Sequence, residues 1–136
     1  MEPTTPTAPQ SGKPRRVLCI EDEHFISELY SRALVKAGYE VKVVIDGQEG
    51  LKEAQTDQYD IILLDIMIPN MMGTDILKPL RDTTKTPHLH SKIILATNLD
   101  QGDDGRAATE KYADGYIIKA DITPKELVSY LSKLKF

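Results

Sequence analysis

Five polar side chains in this sequence follow short apolar runs, and their types suit phosphoryl chemistry. The first run, over residues 17–20, ends in Glu21 and Asp22, and later runs end in Asp65, Thr97 and Lys119. An aspartate can attack phosphorus and become an acyl phosphate. A lysine and a threonine hydroxyl suit the oxygens of a transferred phosphoryl group. If the runs are neighbouring strands of one sheet, these five side chains converge on one site.

The three carboxylates of Glu21, Asp22 and Asp65 need a counter-charge if they lie close together. Carboxylates that share a site repel and desolvate one another, and a divalent cation relieves both effects. Hard oxygen ligands without cysteine or clustered histidine favour Mg²⁺ or Mn²⁺ over Zn²⁺. The sequence therefore predicts Mg²⁺ as the cofactor, with Mn²⁺ as a substitute.

A strand–helix alternation repeated five times is predicted to position these residues. Apolar runs at residues 17–20, 61–64 and 93–96, with weaker ones at 41–45 and 116–118, indicate the strands. Helical spacing or capping signals indicate helices that begin near residues 24, 47, 73, 105 and 124. Strands that are apolar on both faces belong to a parallel sheet covered by helices on each side, and such sheets bind ligands at the carboxyl ends of their strands.

Composition narrows the class of protein. A net charge of −4 argues against a domain that binds nucleic acid or anionic lipid. The 136 residues are enough to form one hydrophobic core. No apolar run is long enough to span a bilayer, and the single cysteine, Cys19, fits a reducing cytoplasm. Residues 1–14 are rich in proline and threonine and are predicted to be a disordered tail, with one domain over residues 15–136.

The chain resembles the receiver domains of two-component response regulators over roughly residues 15–136. The matching segments are VLCIEDE at residues 17–23, LDIMIPNMMG at 64–73, LAT at 95–97 and DGYIIK at 114–119. Proline four and glycine eight residues after Asp65 make the second segment the most specific. The resemblance implies a flavodoxin-like (βα)₅ fold, doubly wound, with strand order 2-1-3-4-5.

The resemblance also implies how the metal is held. Asp22 and Asp65 would bind Mg²⁺ directly, together with the backbone carbonyl of Met67, and Glu21 would act through water.

The remaining roles follow from the same resemblance. Asp65 would be the phosphoacceptor, Thr97 would hydrogen-bond the phosphoryl group, and Lys119 would pair first with Asp65 and then with a phosphoryl oxygen. Tyr116 would be the aromatic switch that moves inward as Thr97 shifts.

Two departures from the family pattern concern the rim of the site. Ala120 follows Lys119 where proline is usual, and Asn98 follows Thr97 where a small residue is usual. A cis bond without proline costs about 3–4 kcal/mol, so the Lys119–Ala120 bond is predicted to be trans.

The expected function is that of a stand-alone, cytoplasmic, phosphorylatable receiver. A histidine kinase or histidine phosphotransfer protein would supply the phosphoryl group. Output would be contact with a protein target, through the face formed by the helix near residues 105–111, the fifth strand and the last helix. Direct DNA binding, membrane contact and enzyme activity beyond the protein's own phosphorylation and dephosphorylation are not expected.

Three other functions are compatible with parts of this sequence. The first is a receiver-like interaction module that is not phosphorylated, against which the intact acidic, Thr97 and Lys119 positions argue. A phosphatase with Asp65 as nucleophile would need a general acid at position 67, where Met67 stands. A flavin phosphate would be repelled by the Glu21-Asp22-Glu23 run.

Overall fold

The computed structural model describes residues 14–66, 73–81, 89–97 and 112–136. The predicted tail at residues 1–13 and the predicted helix near 105–111 lie outside the described residues. The strands are β1 (Arg16–Ile20), β2 (Glu40–Val44), β3 (Ile61–Asp65), β4 (Lys92–Thr97) and β5 (Gly115–Ile118). The described helices are α1 (His24–Lys36), α2 (Gly47–Ala54), α3 (Gly73–Arg81) and α4 (Pro124–Ser132).

The five strands form one parallel sheet in the order β2-β1-β3-β4-β5. This confirms the predicted doubly wound topology. In the described part of the chain, no helix is long and apolar enough to cross a membrane.

Two apolar layers cover the two faces of the sheet. Leu18 and Ile20 of β1 belong to the layer that also contains buried residues of α2 and α3, whereas Val17 and Cys19 belong to the layer of α1 and α4. Successive side chains of a strand point to opposite faces, so a fully apolar strand contributes side chains to both layers. β2 lies at the edge of the sheet, and three of its five residues are exposed.

Helix α1 buries a stripe that only partly matches the one that its apolar residues suggest, because Leu34 is buried as predicted but Phe25 and Leu29 are not. Phe25 and Leu29 recur at helical spacing, yet Phe25 is 73% exposed and Leu29 is 36% exposed. The buried residues of α1 are Ser27, Tyr30 and Leu34. The direction in which α1 crosses the sheet decides which face is covered, and the spacing of apolar residues within one helix does not contain that direction.

The predicted helix starts are confirmed at α2 and α4. The carboxylate of Asp46 accepts a hydrogen bond from the backbone N–H of Glu49 at 2.9 Å. Thr123 and Glu126 form a reciprocal capping box at the start of α4, with distances of 2.9 and 3.1 Å.

Two features of the backbone concern a proline inside a helix and the lack of proline after Lys119. Pro79 lies inside α3, which continues to Arg81. The described residues contain no cis peptide bond, so the Lys119–Ala120 bond is trans as predicted. The chain forms a 3₁₀ turn over Lys119–Asp121 directly after β5.

A hydrogen bond and an ion pair from the side chain of Arg81 fix the start of β5. The guanidinium of Arg81, at the end of α3, donates to the backbone carbonyl of Tyr112 at 2.6 Å and pairs with Asp114. The carboxylate of Asp114 also accepts a hydrogen bond from the backbone N–H of Ile93 at 2.8 Å. These contacts hold β5 beside β4 and so determine the position of Lys119 directly after β5.

Candidate functional site

The strand register brings the carboxyl ends of β1, β3 and β5 together at one end of the sheet. Ile20 of β1 pairs with Leu64 of β3, so Glu21 follows β1 at the level of Asp65. Asp65 pairs with Ala96 of β4, which places β4 on the other side of β3. Thr97 pairs with Ile118, the residue before Lys119. The structure thus assembles Glu21, Asp65 and Lys119, as the order of the strands predicts.

The ammonium of Lys119 is the centre of the site. Its Nζ donates to Glu21 Oε1 at 2.7 Å and to Asp65 Oδ2 at 3.1 Å. Glu23 Oε1 lies 3.4 Å from the same nitrogen. The side chains of Lys119, Glu21 and Asp65 are only 2–4% exposed, whereas that of Glu23 is 49% exposed. The buried ammonium of Lys119 therefore interacts with two buried carboxylates, those of Glu21 and Asp65, and with the partly exposed carboxylate of Glu23.

Burial and charge oppose each other at this cluster. Burial alone would lower the pKa of Lys119, but its hydrogen bond to Glu21 and the charge of Asp65 outweigh that effect, and the pKa is raised. Burial raises the pKa of Glu21, against the effect of its Lys119 hydrogen bond, and the charge of Asp65 raises it further. The cluster holds more negative charge than Lys119 alone can neutralise.

The residues present fit a divalent metal ion. Glu21, Asp22 and Asp65 each offer a carboxylate oxygen, and these oxygens all lie within 4.8 Å of one another. Asp22 is partly exposed, which leaves the group open to solvent on one side. All three donors are hard oxygens, the type that Mg²⁺ prefers. The predicted fourth ligand, the carbonyl of Met67, lies outside the described residues.

The predicted phosphoryl-binding and switch residues are placed less completely. Thr97 is the last residue of β4, at the same edge of the sheet, and its side chain lies outside the described part of the structure. Tyr116 pairs with Leu95 in the sheet and packs, partly buried, against the layer of α2 and α3. Tyr116 also lines a groove of about 510 Å³ together with Ile118, Ile122 and Tyr130.

Two residues near the site had no predicted role. Glu23 contacts Lys119, and its membership of the acidic run was the only signal in the sequence. Tyr30 of α1 is buried in the layer that also contains Cys19 and Leu63, and burial raises its pKa to about 12, with smaller effects from the charges of Lys119 and Glu21. A tyrosine at an apolar helix position carries no sequence signal for such a location.

The family model for the response regulator receiver domain matches residues 17–132. This chain belongs to that family. The receiver family accepts phosphoryl groups and binds Mg²⁺ at an acidic pocket, and this receiver has an acidic cluster of Glu21, Asp22 and Asp65.

Curated relatives of this receiver include longer proteins. It is 38% identical to the transcriptional regulatory protein HprR of Escherichia coli K12, over 76% of this chain and 44% of HprR. It is 32% identical to the response regulator ArlR of Staphylococcus saprophyticus, over 88% of this chain and 50% of ArlR. The chain thus spans about half the length of the curated relatives that it matches.

Solved receiver structures share the fold over nearly the whole chain. The Vibrio cholerae chemotaxis protein CheY4 superposes with a TM-score of 0.75 at 27% identity, covering 90% of this chain and 99% of CheY4. The BeF₃-activated receiver domain of Klebsiella pneumoniae RstA superposes with a TM-score of 0.73 at 26% identity, covering 86% of this chain and 95% of that one.

Proposed function

We propose that this receiver accepts a phosphoryl group on Asp65, in a Mg²⁺-dependent way, from a histidine kinase or a histidine phosphotransfer protein. The observation that carries the proposal is the buried ammonium of Lys119, which lies 3.1 Å from Asp65 and 2.7 Å from Glu21. Asp65 is the one buried carboxylate of this group that also ends the central strand β3.

In the proposed reaction, a carboxylate oxygen of Asp65 attacks phosphorus while the bond from phosphorus to the donor histidine nitrogen breaks. The donor imidazole leaves, and Asp65 becomes an acyl phosphate. Lys119 then moves from the Asp65 carboxylate to a phosphoryl oxygen, where its charge stabilises the product. The Thr97 hydroxyl donates to another phosphoryl oxygen.

Four groups would hold the metal ion in this proposal. They are the carboxylates of Asp22 and Asp65, the carbonyl of Met67, and Glu21 through a water molecule. Bound Mg²⁺ supplies positive charge that offsets the carboxylates and the transferring phosphoryl oxygens.

Signalling in this proposal passes through Tyr116 to a protein target. Displacement of Thr97 toward the phosphoryl group would free space for Tyr116, which stands beside Leu95 and Ile117 in the sheet. Two positions of Tyr116 biased by phosphorylation make a two-state switch. The groove that Tyr116 lines on β5 and α4 would change shape and so alter the surface that the target meets.

Several expectations stay predictions. These are that the receiver acts as a stand-alone protein in the cytoplasm, that it binds neither DNA nor membrane, and that it catalyses only its own phosphorylation and dephosphorylation. The curated relatives include a transcriptional regulatory protein about twice as long, so the size of the native protein in its own cells is the measurement that tests the first of these.

The acceptor assignment is tested by incubating the protein with acetyl phosphate and Mg²⁺ and measuring the intact mass. We expect one added phosphoryl group in the parent protein and none in Asp65→Asn. Asp75→Asn, at an exposed position in the first turn of α3, is the matched control and should label like the parent. Excess chelator should abolish labelling of the parent.

Two results would contradict the proposal. Labelling of Asp65→Asn at the parent rate would place the phosphoryl group elsewhere. A parent protein that is labelled neither by acetyl phosphate nor by a phosphorylated phosphotransfer protein would favour the interaction module that is not phosphorylated.

A further inference from the structure

The hydroxyl of Tyr30 is a buried polar group without a hydrogen-bond partner among the residues that the structure describes. Tyr30 is only 3% exposed, on the face of α1 that packs against the sheet. Nearly all buried polar groups in proteins are hydrogen-bonded, because a buried group that loses its hydrogen bonds to water without gaining a protein partner destabilises the fold. An unpaired hydroxyl beside a reactive site therefore points to a partner that it gains in another state of the protein.

The core layer that contains Tyr30 lies on the same face of the sheet as the acidic cluster. Tyr30 belongs to the same core layer as Cys19 and Leu63. Side chains two residues apart along a strand point to the same face, so Glu21 stands above Cys19 and Asp65 stands above Leu63. Tyr30 thus packs in the layer on the face of the sheet toward which the two buried carboxylates point.

The electrostatic environment of Tyr30 agrees with this position. Burial raises the pKa of Tyr30 to about 12, and the charges of Lys119, Glu21 and Asp65 also act on it. The hydroxyl is therefore protonated at neutral pH and available as a donor within electrostatic range of the cluster.

We propose that Tyr30 is a positioning residue whose hydroxyl donates a hydrogen bond to Glu21 when Lys119 leaves Glu21 for the phosphoryl group. The inference rests on the proposed function, in which Lys119 leaves Asp65 for a phosphoryl oxygen, and it adds that Lys119 leaves Glu21 in the same movement. In the resting protein Lys119 donates to Glu21 at 2.7 Å, and the Glu21 side chain is 3% exposed. A buried carboxylate that loses its cation needs a replacement donor, and Tyr30 offers one from below.

A hydrogen bond formed only in the phosphorylated state stabilises that state selectively. Glu21 would remain oriented toward the metal site instead of following Lys119, so the phosphoryl group and the metal ion would be held more tightly. In the resting state the same hydroxyl is desolvated and has no hydrogen-bond partner among the described residues, so it contributes nothing favourable there.

The test compares Tyr30→Phe with the parent in the resting state and with beryllofluoride and Mg²⁺, which mimic the phosphoryl state. Phenylalanine removes only the hydroxyl. We expect the melting temperature of the resting variant to equal or exceed that of the parent. We expect its affinity for beryllofluoride to be about tenfold weaker, as for loss of one hydrogen bond to a charged group.

A matched control is Tyr59→Phe. Tyr59 is also buried, in the layer on the other face of the sheet, but its hydroxyl donates to Glu53 Oε1 at 2.6 Å. Its removal should lower the melting temperature equally with and without beryllofluoride and leave the affinity unchanged.

A double-mutant cycle with Glu21→Ala tests whether Tyr30 acts through Glu21. In the Glu21→Ala background, Tyr30→Phe should weaken beryllofluoride binding by less than about twofold, because the acceptor is gone. An equal loss in both backgrounds would overturn the proposed contact.

The remaining outcomes separate the two proposals. A parent that binds beryllofluoride, with a Tyr30→Phe variant that binds it equally well, overturns the role of Tyr30 and leaves the acceptor assignment intact. A Tyr30→Phe variant that is less stable at rest shows a resting partner for the hydroxyl and also overturns it. A parent that binds no beryllofluoride with Mg²⁺ present overturns the proposed function and this inference together.

Discussion

At the scale of single residues, Lys119 is the cation that balances the carboxylates of the site. Its ammonium lies within 3.4 Å of oxygens from Glu21, Glu23 and Asp65, and its side chain is 2% exposed. Ion pairs at the surface contribute little to stability, but removing one partner of a buried pair leaves an uncompensated charge. The resting site is therefore held together by one side chain that the proposed reaction must displace.

Replacement of this lysine should be costly and should be relieved by metal. We expect Lys119→Met to lower the free energy of unfolding by about 3 kcal/mol, because Glu21 and Asp65 would remain buried without their cation. Mg²⁺ should raise the melting temperature of the variant more than that of the parent, since the ion replaces the missing charge. Denaturant unfolding with and without Mg²⁺ measures both effects.

Lys42→Met is the control for that prediction. Lys42 lies 3.5 Å from Glu53, but its side chain is 50% exposed, so its loss should change the free energy of unfolding by less than about 1 kcal/mol. A Lys119→Met variant that behaves like Lys42→Met would show that the three carboxylates do not depend on Lys119.

At the scale of elements, α4 supports the strand that delivers Lys119. Leu127 and Leu131 of α4 are buried in the layer that includes Ile117 of β5. Gly115 at the start of β5 lies so close to Tyr130 of α4 that an added Cβ would clash with the tyrosine hydroxyl and with Ile94. The position of β5 thus depends on a well-formed helix beside it.

The start of α4 can be weakened without touching the site. Thr123→Ala removes the side chain that accepts from the backbone N–H of Glu126 at 3.1 Å, so we expect the free energy of unfolding to fall by about 1 kcal/mol. Thr123→Ser keeps the hydroxyl and should retain most of the stability. Urea denaturation of both variants provides the comparison, and an equal loss in both would show that the cap is not the cause.

Across the whole molecule, the two ends of the sheet have different electrostatics. The carboxyl end gathers carboxylates around one lysine. At the amino end, Asp60 accepts from the backbone N–H of Arg16 at 2.9 Å, and Asp57 accepts from the backbone N–H of His90 at 2.8 Å. The amino end therefore anchors the strands while the carboxyl end retains the charge that a ligand can neutralise.

Alkaline conditions should destabilise the whole molecule through its buried tyrosines. Burial raises the pKa of Tyr59 to about 12, and its bond to Glu53 adds to the shift. In the unfolded chain a tyrosine titrates near pH ~10, so the unfolded state loses its proton first. The free energy of unfolding should consequently be unaffected below about pH 10 and fall as the pH rises from about 10 to 12.

Tyr59→Phe isolates this contribution. The variant should be less stable than the parent at pH 7, because the bond to Glu53 is lost, and its stability should fall less steeply above pH 10. Denaturant unfolding at pH 7, 9, 10 and 11 gives the two slopes. Parallel slopes for parent and variant would contradict the assignment.

The sequence by itself determined the elements and the types of residue at the site. Apolar runs and capping signals are local, since they depend on residues within a few positions of one another, and they predicted the strands, the start of α4 and the parallel sheet. Polar residues directly after buried strands had to lie at one edge of that sheet, because the carboxyl ends of parallel strands face the same way.

Only the tertiary structure decided which groups touch. The partners of Lys119 depend on the register between β1, β3 and β5, and on the tie from Arg81 that sets the start of β5. The burial of Tyr30 in place of Phe25 depends on the rotation of α1 over the sheet. Both are relations between segments far apart in the chain, so no local pattern of residues contains them, and an unpaired hydroxyl becomes visible only once its surroundings are assembled.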